Sequence, residues 1–229
     1  MDDLSAGGAE LRQALQHLRR LNRLFGAAAP TLFGVRRLWE QMGKPQRLSV
    51  LDIGAGSGDV NRRLLRWAAA AGVDMTITVA DVTEEACEEA RLQFLREPRV
   101  QVEQADLFEL SDGCADIVTG TQFVHHFDEE ALPLAVGRMV RASRWGAVLG
   151  DIHRSRIAWL AVWLAAHSLS RNRYIRHDGP LSVAKGFRAD DWNRLRKQLG
   201  MDESQLYAAW RPLYRYAVVI RKIANPADG

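Results

Sequence analysis

The run LDIGAGSGDV, residues 51–60, decides the reading of this chain. With the preceding LSV it is short, apolar and closed by glycine, the pattern of a buried strand entering a tight turn. Glycine-rich turns after a strand usually bind nucleotides, because the backbone approaches the ligand closely where no side chain intervenes. A dinucleotide fingerprint requires G-x-G-x-x-G. Gly54 and Gly56 fit, but the third glycine, Gly58, comes one residue early and Asp59 takes its place. A carboxylate there repels a pyrophosphate, which disfavours a nicotinamide oxidoreductase. The turn has no G-K-[ST] ending, so a phosphate-cradling loop of the P-loop kind is excluded.

Downstream of this turn, strand and helix alternate. A helix through Val60, Leu64 and Trp67 leads to the strand MTITVAD, and Thr83 with Glu84 and Glu85 reads as the capped, acidic start of the next helix. RVQVEQAD is the third strand, ADIVTG the fourth and WGAVLGD the fifth, with Asp128 capping a helix that runs to about Ala142. Repeated alternation predicts a doubly wound α/β fold, because each parallel crossover needs a helix to return the chain. In such sheets the ligand sits at the carboxyl ends of the strands. Asp52, Asp81, Asp106, His125, His126, Asp151 and His153 all fall at or just past predicted strand ends.

The flanks differ from this core. ELRQALQHLRRLNRLF, ahead of the strands, has the spacing of an amphipathic helix, and residues 1–46 are expected to be an N-terminal helical extension. Residues 47–229 form the ligand-binding domain, with 153–187 expected as a lid insertion made of a tryptophan-rich apolar helix and a basic loop. Gly179-Pro180 in HDGPLSVAKGF reads as a turn within a substrate loop. LYRYAVVIRKI alternates as a final strand.

Composition bounds the function. At 229 residues, one sizeable domain is the default. Lys and Arg exceed Asp and Glu by 31 to 28, too small an excess to indicate a nucleic-acid partner. Cys87 and Cys114 have no CxxC spacing and the N-terminus lacks a secretory pattern, so a reducing cytoplasm is expected. The longest apolar run, IAWLAVWLAAHSL (157–169), is shorter than the ~20 residues that cross a bilayer. Peripheral contact with anionic lipid is still open, through the basic flanks HRSR and RNRYIRH.

Carboxylates at successive strand ends suit a cation. A nucleoside with a sulfonium and an α-ammonium group, as in S-adenosylmethionine, would be attracted by Asp52, and Asp81 and Asp106 could accept from ribose and adenine in charge-assisted bonds. LDIGAGSGDV, VADVT, QADLFEL and DIVTGTQFVHHF, in that order, resemble the class I S-adenosylmethionine-dependent methyltransferases. Within that class they are most similar to the ubiquinone/menaquinone-biosynthesis-like enzymes and small-molecule enzymes of polyketide pathways. The resemblance covers roughly residues 47–152. It implies a Rossmann-like seven-stranded sheet whose last strand enters antiparallel. It also implies S-adenosylmethionine contacts from Asp52, Gly54, Gly56, Gly58, Asp81, Val82, Asp106, Leu107 and Gln122.

The nature of the acceptor rests on residues beyond the cofactor motifs. No Asn/Asp-Pro-Pro-Tyr element comes after the fourth strand and no Pro-Cys nucleophile appears, which disfavours nucleic-acid substrates and favours a small hydrophobic aromatic molecule. A phenol has a pKa of ~10 and needs a base near neutrality. His126 and His153 are the candidate bases; His125, Asp151, Trp159, Trp163 and His177 are candidate substrate contacts. No metal-ligand spacing such as HExxH occurs. The expected reaction is transfer of a methyl group to a hydroxyl of a phenolic or polyketide metabolite by a monomer or homodimer. Ring C-methylation and a non-catalytic cofactor-binding module are the alternatives.

Overall fold

The computed structural model describes residues 26–169 and 173–222; the amphipathic stretch expected over residues 10–25 lies outside them. Seven strands, β1 (Arg47–Ile53), β2 (Asp74–Asp81), β3 (Val100–Gln104), β4 (Ala115–Thr121), β5 (Ser143–Ile152), β6 (Leu206–Arg211) and β7 (Arg215–Arg221), form one sheet in the order β3-β2-β1-β4-β5-β7-β6. β1 to β5 run parallel, and β7 enters antiparallel between β5 and β6. This is the doubly wound seven-stranded Rossmann-like sheet. The chain direction across the sheet reverses between β1 and β4, the switch point where such sheets open a crevice.

The central strands carry near-continuous burial because both faces are covered. One cluster gathers Leu48, Val50, Met75, Ile77, Val79, Leu64 and Phe94; the other gathers Leu51, Ile53, Val118, Met139, Leu149 and Trp192. Helices α1 (Ala28–Gln41), α2 (Asn61–Ala71) and α3 (Glu84–Phe94) contribute to the first layer or pack beside it, and α4 (Ala131–Ala142) and α7 (Ala189–Gln198) to the second. α1, within the expected N-terminal extension, packs directly on β5 and β7. Val35 and Leu38 are fully buried there, and Gly34 permits the close approach: a Cβ added to it would lie 2.3 Å from Val148 Cγ1.

Three local expectations change. The Thr83 hydroxyl does not cap α3 but donates to Asp81 at 3.0 Å. The expected substrate loop around Gly179-Pro180 is instead helical: after α5 (Arg156–Leu169), the chain forms α6 (Arg173–Lys185) with Pro180 inside it. A residue before proline is pushed out of the α region partly by its own Cβ. Gly179 has none, and its bare backbone packs on Val162 of α5, which holds the proline-containing helix in place. The final strand, expected over LYRYAVVIRKI, begins at Arg215, since Leu213 and Tyr214 adopt positive φ in the turn from β6.

Candidate active site

The glycine turn after β1 is built by three left-handed residues, Gly54 (φ 60°), Gly56 (φ 55°) and Gly58 (φ 70°). Side chains at these dihedrals are strained, and at Gly54 a Cβ would also fall 2.1 Å from the Phe123 ring. The Gly56 N–H donates to Asp81 Oδ2 at 2.8 Å, tying the turn to the end of β2. Asp81 Oδ1 accepts from the Thr83 N–H and hydroxyl. A carboxylate offers about four acceptor positions, so a ribose hydroxyl still finds room. The bare glycine cradle and this remaining acceptor capacity fit a nucleoside such as S-adenosylmethionine.

Asp52 is placed differently from a residue that touches the ligand. It is almost fully buried, with Oδ1 accepting from the Thr119 hydroxyl and Oδ2 from Asn61 Nδ2, both at 2.7 Å. Burial raises its pKa to about 6, against the lowering effect of those two bonds. It sits near the end of β1, two residues before the turn's first glycine. Asp106 is exposed and caps the short turn Leu107–Glu109 by accepting from the Phe108 N–H; Leu107 is buried beneath it. Val82 is exposed, and its carbonyl accepts from Gln104 Nε2. Gln122 stands just past β4 at φ 53°, a conformation non-glycine residues adopt mainly where the surroundings impose it, and its N–H donates to the Gly150 carbonyl.

The strand ends also assemble a pair of opposite chemistry. His125, on the short turn Val124–His126 after β4, places Nδ1 2.7 Å from Asp151 Oδ1 at the end of β5. Both side chains are buried, and Nε2 of His125 has no protein partner. The Asp151 carboxyl sits below its usual range: burial opposes ionisation, but His125 and the Arg215 guanidinium outweigh it. Arg215, buried on β7, is itself pushed down to about 10 by burial, against the pull of Asp151. Nδ1 of His125 is thus engaged by the Asp151 carboxylate, and Nε2 lies on the opposite side of the ring.

The other sequence candidates scatter. His126 is exposed, its ring 4.4 Å from that of His125. His153 stacks near Tyr214 and meets the edge of Tyr216; its Nδ1 is buried without a partner, and burial together with Arg188 lowers its pKa. Asp151 is thus directed to His125, and no group of three or more His, Cys, Asp or Glu among the described residues could hold a metal ion. Trp159 and Trp163 on α5 and His177 on α6 are exposed, while α6 packs against the turn that carries His125. Sequence reasoning missed the aromatic wall of Phe123, Phe127 and Phe108, whose rings meet edge to face. It also missed Asn61, Thr119 and Arg215, whose signal was only proximity to a strand end. A groove of about 1030 Å³ lined by Asp59, Arg62, Arg66, Phe94 and Arg99 includes none of the predicted strand-end residues.

Residues 50–146 match the family described as a methyltransferase domain. No curated protein sequence shows a significant match. Among solved structures, a SAM-dependent methyltransferase from Aquifex aeolicus is 15% identical, with a TM-score of 0.62 over 93% of this chain and 98% of its own. Human N-acetylserotonin methyltransferase in complex with SAM is 15% identical with a TM-score of 0.63, over 93% and 56% of the two chains. The DszA carbon methyltransferase is 14% identical with a TM-score of 0.59, over 97% and 57%. At these identities the likeness is one of fold. Over residues 50–146 the chain thus matches the methyltransferase domain family, and its sheet order and glycine turn give it the fold of these methyltransferase structures.

Proposed function

We propose that the enzyme methylates a hydroxyl of a small hydrophobic phenol, polyketide or related aromatic molecule, with His125, held by Asp151, as the base. The observation that carries this reading is the buried 2.7 Å contact of His125 Nδ1 with Asp151, which leaves Nε2 unpartnered on the turn after β4. Bound S-adenosylmethionine supplies an electrophilic methyl group on a sulfonium. Nε2 of His125 takes the hydroxyl proton, and Asp151 stabilises the resulting imidazolium. Phe108, Phe123 and Phe127 give an aromatic acceptor an apolar wall. The motif order supports the branch of ubiquinone/menaquinone-like and polyketide enzymes.

Turnover of a phenol and quinol panel, with mass spectrometric fragmentation of products, tests the reading. His125→Gln and Asp151→Asn are expected to lower kcat by about 100-fold or more. Cofactor affinity should hold, and part of the loss should return at higher pH, where the phenol ionises unaided. His126→Ala and His153→Ala should keep most of the rate. Full activity in His125→Gln with loss in either of the other two would move the base. A methyl group found on ring carbon would make this a C-methyltransferase, and cofactor binding without any turnover would favour a binding module.

A further inference from the structure

Helix α5 carries more apolar surface than its contacts use. Ala158 and Ala166 are buried against the protein, but Ile157 is 67% exposed, Leu160 and Leu164 51% each, Trp159 40% and Trp163 37%. At 100° per residue, Ile157, Leu160 and Leu164 share one face, with both indoles along its side. Between Ile157 and Leu169 there is no acidic or basic side chain except His167. Contiguous apolar surface of this kind on a folded protein marks an interaction site.

Charge identifies the partner. Residues 153–188 hold seven of the chain's 31 Lys and Arg but only one, Asp178, of its 28 Asp and Glu, so the remainder of the chain is net negative. The segment around the apolar helix is therefore strongly cationic, and Arg156 stands exposed at the start of the helix. An apolar face edged by indoles and set in a cationic segment is the composition of a helix lying in the headgroup region of an anionic bilayer. A second protein copy would have to bring an acidic surface to this face, and the same segment on that copy is cationic. No helix among the described residues is long and apolar enough to cross a membrane, so contact would be peripheral.

We infer that α5 docks the enzyme on an anionic phospholipid surface, with Ile157, Leu160 and Leu164 entering the acyl boundary and the exposed Arg156 meeting lipid phosphate. The inference stands apart from the identity of the methyl acceptor, since binding is read without turnover. Because α6 packs on both α5 and the His125 turn, docking brings that end of the sheet towards the bilayer.

Flotation of the full-length protein with vesicles tests this. Binding is expected to phosphatidylcholine vesicles containing phosphatidylglycerol, weakly to phosphatidylcholine alone, and less at high salt. The double substitution Leu160→Ser with Leu164→Ser should lower partitioning about tenfold or more. The matched control Leu92→Ser with Leu95→Ser, at least as exposed on and just past α3, should not. Brominated lipid should quench tryptophan emission, and Trp159→Phe with Trp163→Phe should remove most of that quenching while flotation persists. No flotation on anionic vesicles, or equal flotation of the Leu160/Leu164 variant, would overturn the inference. A dimer in light scattering that the same variant dissolves, without flotation, would assign the face to a second copy instead.

Discussion

At the scale of single residues, the buried carboxylate of Asp52 has a consequence for pH. Its folded pKa of about 6 lies above the ordinary 3.8, so the folded state holds the proton more tightly than the unfolded chain. This group therefore favours folding below about pH 4, loses that contribution as pH rises towards 6, and costs about 3 kcal/mol once ionised in the fold. Asp52→Asn should stabilise the protein at pH 7 relative to wild type, and the difference should vanish near pH 4. The site accommodates an amide, because Oδ1 of Asn61 is buried without a partner and a flipped Asn61 could accept from it. Denaturant unfolding of both proteins across that range is the measurement; a constant difference at every pH would refute the assignment. The same substitution should weaken S-adenosylmethionine by roughly tenfold, the loss of one charge acting through the fold on a cation.

Among the elements, the strands were the most legible. β1, β2, β4 and β5 stand out because burial leaves them rich in apolar residues, and β3, at the sheet edge, because VQVEQ alternates. β6 was not read because LYAAWR lies half exposed at the sheet edge and lacks the alternation of a half-buried strand. The Gly-Pro pair misled because a local turn signal was overridden by packing between α5 and α6. The His125–Asp151 contact could not be read either: both residues were visible at strand ends, but their pairing depends on how β4 and β5 lie side by side, which no local pattern encodes. α1 shows how one residue fixes an element's position. Gly34→Ala would drive a methyl group into Val148, and overpacking of this kind typically costs about 1–3 kcal/mol. A lowered Tm with unchanged cofactor affinity is expected, because the atoms nearest a Cβ at Gly34 belong to Val148 and Val219 in the sheet. Equal loss in both would mean that α1 shapes the cofactor crevice.

Across the whole molecule, charge placement and fold answer the same question, which nucleotide the crevice admits. The sheet is of a kind that also serves dinucleotides, and its switch point lies between β1 and β4 as theirs does. The lining differs: Asp81 is tied to the glycine turn, Asp59 stands in the turn itself, and Asp52 lies buried under it. A pyrophosphate would meet the Asp81 carboxylate at the turn, whereas a sulfonium and an ammonium are attracted by it. S-adenosylmethionine or its demethylated product at about 100 times its Kd should add ~2.7 kcal/mol by mass action, which for a chain of this size raises Tm by roughly 5–10 °C. NADH and ATP at the same concentrations should leave Tm unchanged. Asp81→Ala should abolish the rise and also lower the Tm of the free protein, since its carboxylate accepts from Gly56 and Thr83. A dinucleotide that raised Tm as far as the methyl donor would show that the carboxylates do not govern the choice, and that the glycine turn alone admits either ligand.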